Sequence, residues 1–123
     1  MQETDGGVRL TVLQEKGFLR IAMTGRYPAE PMEFYTRVIT IRDQSGQDRF
    51  LFDVRELTHW PDHQFTHEFI TRHYPQSPGH RSAILALPEM LGFARFYETM
   101  IQNRGYDARL FKDEAEAVAW LLS

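Results

Sequence analysis

Hydrophobic and polar positions alternate at the start of the chain. Val8, Leu10 and Val12 are separated by Arg9 and Thr11, and Leu19, Ile21 and Met23 by Arg20 and Ala22. A period of two predicts half-buried strands. The short Glu15-Lys16-Gly17 segment between them predicts an antiparallel hairpin. After Gly25 the period changes. Pro31 suits a first helical turn, and Met32, Tyr35, Val38, Ile39 and the stem of Arg42 recur at helical spacing. Gly46 ends that helix as its C′ residue.

Two nearly unbroken apolar runs follow, Arg49 to Val54 (RFLFDV) and Ser82 to Leu87 (SAILAL). Runs of this kind suit interior strands covered on both faces. Between them, Asp62 caps a predicted helix that buries Phe65, Phe69 and Ile70. Pro88 opens a long helix through Asn103, with Met90, Ala94, Tyr97 and Ile101 on one face. Tyr106 to Phe111 forms a last strand, and Asp113 caps a terminal helix burying Ala117, Trp120 and Leu121. The order is β-β-α-β-α-β-α-β-α. It predicts a single α/β domain over residues 8–123: a mostly parallel five-stranded sheet, an N-terminal antiparallel hairpin and four helices. Residues 1–7 read as a flexible tail.

Composition narrows the function classes. The 123 residues carry a net charge of −3 without a Lys/Arg cluster, which argues against a general nucleic-acid binder. There is no cysteine, so disulfides, thiolate nucleophiles and cysteine-type zinc sites are excluded. No apolar run approaches the ~20 residues of a membrane span, and the polar N-terminus is not a secretory signal. A cytoplasmic location is the expectation. The chain contains no P-loop, dinucleotide glycine fingerprint or serine elbow. That points to a binding protein rather than an enzyme, with no cofactor.

Three groups of residues are chemical candidates. His59, His63 and His67 lie four apart; His63 and His67 would share a helix face, a workable but incomplete metal set that lacks an HExxH pattern. Asp53, Glu56 and Asp62 gather carboxylates near the end of a central strand, where caps and turns also use them. The aromatic excess is the most informative feature. Phe93, Phe96 and Met100 widen the apolar face of the long helix beyond one core stripe, and Phe34, Ile41 and Trp60 fall outside the periodic positions. Such residues either fill a small core or form a surface that receives a partner protein, a second copy or an apolar ligand. Arg95 and Arg104 would stand at its rim.

The element order, with RSAILALPEMLGFARFYE (Arg81 to Glu98), NRGYDARLFKDEAEAVAWLLS (Asn103 to Ser123) and RFLFDVRELTHW (Arg49 to Trp60), resembles the SpoIIAA-like branch of the STAS superfamily. That branch is often described with the lipid-binding SEC14 folds. The resemblance covers the chain from about Val8. It implies a bacterial regulatory domain that binds other proteins. Anti-sigma-factor antagonists of this fold carry a phosphorylatable serine at the start of the helix after the third strand. Aligned from Asp53, that position falls near Asp62-His63, and the nearest hydroxyl is Thr58, earlier in the loop. The resemblance therefore implies a binding module without the usual phosphoserine. Its contact residues would be Thr58, Trp60, Asp62, Phe93, Phe96 and Met100. The alternative is a carrier of a small apolar or lipid-like ligand in an aromatic-lined cleft.

Overall fold

The computed structural model describes residues 2–5, 7–26, 31–58, 64, 67, 68 and 80–123. Its strands are β1 (Gln2–Asp5), β2 (Val8–Glu15), β3 (Phe18–Gly25), β4 (Arg49–Leu57), β5 (Arg81–Leu85) and β6 (Asp107–Phe111). Its helices are α1 (Pro31–Gln44), α2 (Leu91–Asn103) and α3 (Glu114–Leu121). A 3-10 turn, Pro88–Met90, leads into α2. One sheet holds all the strands in chain order, β1-β2-β3-β4-β5-β6. The pairs β1/β2 and β2/β3 are antiparallel, and β3/β4, β4/β5 and β5/β6 are parallel.

All five expected strands are present. A sixth, β1, comes from the segment read as a tail: Gln2–Asp5 pairs with Thr11–Val8. This segment is short, polar and without apolar alternation, so periodicity could not reveal it. The count of four helices is not matched, because three are described. The expected helix after Asp62 lies mostly outside the described residues; within it Gln64, His67 and Glu68 are helical.

The core has two layers. On one face α1 and α2 cover Val8, Leu10, Ile21, Phe50, Val54 and Ile84 with Phe34, Tyr35, Val38, Ala94 and Ile101. On the other, α3 sets Ala117 and Leu121 against Phe18, Leu51, Ala83 and Leu85. Adjacent residues Phe50 and Leu51 thus point into different layers, and both are fully buried. This is why β4 reads as a continuous apolar run.

Each end of α3 is tied down by a side chain. The Asp113 carboxylate accepts from the Glu116 N–H at 3.1 Å, as the sequence predicts for an N-cap. At the other end the Arg81 guanidinium donates to the Trp120 carbonyl at 2.8 Å and to the Ser123 hydroxyl at 3.1 Å. A cation there also complements the negative end of the helix dipole. Helix α2 similarly seals strand β6. The Glu98 carboxylate accepts the Leu110 N–H at 2.6 Å, and Gln102 donates to the Ala108 carbonyl at 2.7 Å. These peptide groups face away from β5 and would otherwise be an unsatisfied sheet margin.

Candidate functional site

The parallel strands deliver their C-terminal ends to one side of the molecule, the edge where open α/β sheets commonly receive ligands. There Thr58 links β4 to β3. Its N–H donates to the Gly25 carbonyl at 2.9 Å, and its hydroxyl donates to the same oxygen at 3.2 Å. Gly25 sits at φ 101°, and a Cβ on it would collide with the Gly7 carbonyl, so this corner admits only glycine. The Thr58 side chain is exposed.

Just before this edge the β3/β4 register slips: Ala22 pairs with Asp53, but Thr24 pairs with Glu56. The bulge takes the Arg55 N–H out of the ladder, and the Asp53 carboxylate accepts it at 3.2 Å. The same carboxylate receives the Arg55 guanidinium at 2.9 and 2.8 Å. Glu114, in the first turn of α3, accepts from Arg55 at 3.1 Å and from Arg20 at 3.2 Å, and Arg20 also reaches Glu15 at 3.2 Å. Burial pushes the Asp53 carboxyl up, but the hydrogen bonds and charge of Arg55, with the charge of Arg20, outweigh this and hold it below its ordinary value. Burial likewise opposes the charge on Arg20, and Glu15 and Glu114 overcome it. Bonding to Asp53 raises Arg55 despite desolvation.

A carboxylate held ionised and saturated by donors is neither a proton donor near neutral pH nor a strong base. The group of Asp53, Glu56 and Asp62 also does not assemble on the described residues. Glu56 is exposed, and Asp62 lies outside them. What sequence spacing missed is that Asp53 partners arginines from its own strand and from β3, and a glutamate from α3 bridges those arginines.

On the opposite face, α1 and α2 flank a cavity of about 70 Å³. Tyr35, Val38 and Arg42 form one wall, and Phe93, Ala94 and Tyr97 the other. Phe52, Val54, Ile84 and Ser82 supply the floor. Arg42 is only 2% exposed, and its Nε donates to the Asp43 carboxylate at 3.0 Å. Of the predicted contact residues, Phe93 lines this cavity. Phe96 and Met100 stand half-buried on the same helix, with Met100 packed against the first core layer. Thr58 follows Leu57, another lining residue.

Trp60, Asp62, His59 and His63 lie outside the described residues, and His67 is exposed. Among the described residues no group of three or more His, Asp or Glu is placed to hold a metal ion. Of the two rim arginines, Arg95 is exposed, while the Arg104 Nε is buried without a hydrogen-bond partner. Among the described residues no helix is long and apolar enough to cross a membrane.

No protein-family model and no curated protein matches the chain. Solved structures do. An anti-sigma factor antagonist from Mycobacterium paratuberculosis superposes with a TM-score of 0.69 at 8% identity, with 98% of each chain covered. A protein of the DUF3478 family from Shewanella loihica PV-4, described as having a SpoIIAA-like fold, superposes with a TM-score of 0.57 at 20% identity, again covering 98% of each. The chain has the SpoIIAA-like fold expected from its element order.

Proposed function

We propose that this protein is a non-catalytic, STAS-like binding module that engages a bacterial regulatory protein or a second copy of itself. The observation that carries the reading is the apolar flank of α2. Phe93, Phe96 and Met100 lie beyond the buried stripe of Met90, Ala94 and Ile101 and remain only partly covered. Half-buried aromatic and methionine side chains are the residue types enriched where proteins meet. Support comes also from the fold shared along its full length with an anti-sigma factor antagonist. The commitment of Asp53 to arginines leaves the carboxylate group without a proton-transfer role. In this reading the usual phosphoserine is absent: its place falls at Asp62-His63, whose aspartate supplies a constant negative charge. Thr58, Trp60 and Asp62 are the further contact residues of this reading, carried over from the sequence.

The test is a Phe96→Glu variant. It should keep the wild-type circular dichroism spectrum and lose at least about tenfold in affinity, either in self-association by sedimentation equilibrium or for a partner isolated on the immobilised wild-type chain. Unchanged affinity for every such partner and for self would defeat the reading.

A second reading is favoured by one observation, the cavity between α1 and α2. Its mostly apolar lining is the usual character of a small-molecule site. In that reading the chain carries a small apolar ligand, and Phe93 belongs to the pocket wall.

A further inference from the structure

We infer that the cavity between α1 and α2 is a site for a small neutral alcohol, an apolar body with one hydroxyl, and that the Ser82 side chain bonds that hydroxyl. The inference rests on the second reading above and adds the ligand's polar group, charge and size.

The polar group comes first. Alternation along β5 sets Ser82 on the same face as Ile84, the face that α1 and α2 cover. Its neighbours across the sheet are Phe50 on β4 and Ala108 on β6. Phe50, Ile84 and Ala108 all belong to the first core layer, so an apolar side chain is the ordinary choice at position 82. The serine is instead half-buried in the cavity floor, and among the described residues no hydrogen bond engages its hydroxyl. A hydroxyl among apolar walls costs free energy until it is bonded. Water is a poor occupant here, because it needs roughly two to four polar partners. The other lining side chains with polar atoms, Tyr35, Arg42 and Tyr97, already interact elsewhere in the chain.

Charge comes second. Among the described residues the lining holds no carboxylate, and its cation, Arg42, is bonded to Asp43 and engaged in further contacts. An ion of either sign would leave water for mainly aliphatic and aromatic walls without a counter-charge reserved for it, which is unfavourable. A neutral molecule meets no such cost.

Size comes third. Small side chains, Ser82 in the floor and Ala94 in the α2 wall, leave the space open. Its volume is about 70 Å³. A void of about 150 Å³ holds one benzene ring, and a single water needs roughly 10–15 Å³. The cavity therefore accepts about five groups of water size, which a branched four-carbon alcohol supplies. A long acyl chain does not fit.

The experiment follows the methyl resonances of Ile84 and Val54, with Leu121 in the second core layer as the control. Isobutanol, isobutanethiol, isobutyrate and decanol are titrated separately. Isobutanol should shift the two cavity methyls saturably and leave Leu121 unmoved. In Ser82→Ala its Kd should rise about fivefold, the worth of one ordinary hydrogen bond, whereas the Kd of the weakly bonding thiol should change less than about twofold. Isobutyrate should bind at least about tenfold more weakly than isobutanol. Equal changes for alcohol and thiol in Ser82→Ala would overturn the role of Ser82 while leaving an apolar-ligand site. Isobutyrate binding as tightly as the alcohol would overturn the neutral class. Binding of decanol but not isobutanol would overturn the size argument. No saturable shift with any of the four would remove the ligand reading together with this inference. Should Ser82→Ala fail to fold, Ser82→Cys makes the same comparison with a near-isosteric side chain.

Discussion

Asp53 occupies a central strand in a half-buried position, yet stays ionised because the bulge beside it and two arginines consume its lone pairs. Its carboxyl in the folded chain lies below the ordinary value of 3.8. The unfolded chain therefore binds more protons between the two values, and stability rises with pH through that window. The contribution is complete above the unfolded value and is lost as pH falls through the folded one. Asp53→Asn should cost about 1–3 kcal/mol at pH 7, and denaturant melts should show the gap to wild type closing below pH 4. A gap that does not narrow at all as pH falls below 4 would mean that the network acts through shape rather than charge. Asp53 was visible in the sequence as a carboxylate at a strand end, but its partners were not. Arg20 is 33 positions away and Glu114 is 61 away, and no periodicity links such residues. Arg42 was half legible: its stem fell on the helical stripe, whereas the burial of its charged end is not a matter of spacing within one helix.

Among the elements, α2 was the most readable. Met90, Ala94 and Ile101 are buried where the 3.6-residue repeat places them, and Tyr97 packs against them. Its start differs in detail, since Pro88–Met90 winds as a 3-10 turn before the α-helix begins. In α1 the expected stripe was rotated by part of a turn. Phe34, set aside as irregular, is fully buried, and Ile39 is only partly so. Apolar residues occur at neighbouring positions throughout this helix, so spacing alone could not choose among them. Helix α3 was placed correctly, but its anchor is Leu121 rather than Trp120. Leu121 is fully buried, while Trp120 lies half-covered, with the guanidinium carbons of Arg81 and Arg109 at 4.8 and 5.1 Å from its ring centre. Leu121→Ala should therefore destabilise by about 2–5 kcal/mol in a urea melt, and Trp120→Ala by less. The reverse order would show that the cation–π contacts, not the second core layer, hold this helix.

At the scale of the whole molecule, strands and crossovers were legible because α/β order leaves a strong mark: two alternating runs, then apolar runs separated by helical spacing. What the pattern did not carry was whatever depends on distant parts meeting. The pairing of Gln2–Asp5 with β2, the bulge in β4 and the cavity between two helices are all of this kind. The seal that Glu98 and Gln102 place over β6 belongs here too, and it is open to test. Glu98→Ala should leave the part-buried Leu110 N–H without its acceptor, costing about 1 kcal/mol and speeding hydrogen exchange at that amide. Exchange unchanged from wild type would show that the amide is protected by other means.

That same pair of contacts has a bearing on how molecules of this chain can assemble. Open-ended stacking of sheets edge to edge requires two competent margins per molecule, one to give and one to receive. With the outward Leu110 N–H and Ala108 carbonyl of β6 already bonded from within, the β1 side is the more open margin, and strand-on-strand association there would favour a closed pair over a fibre.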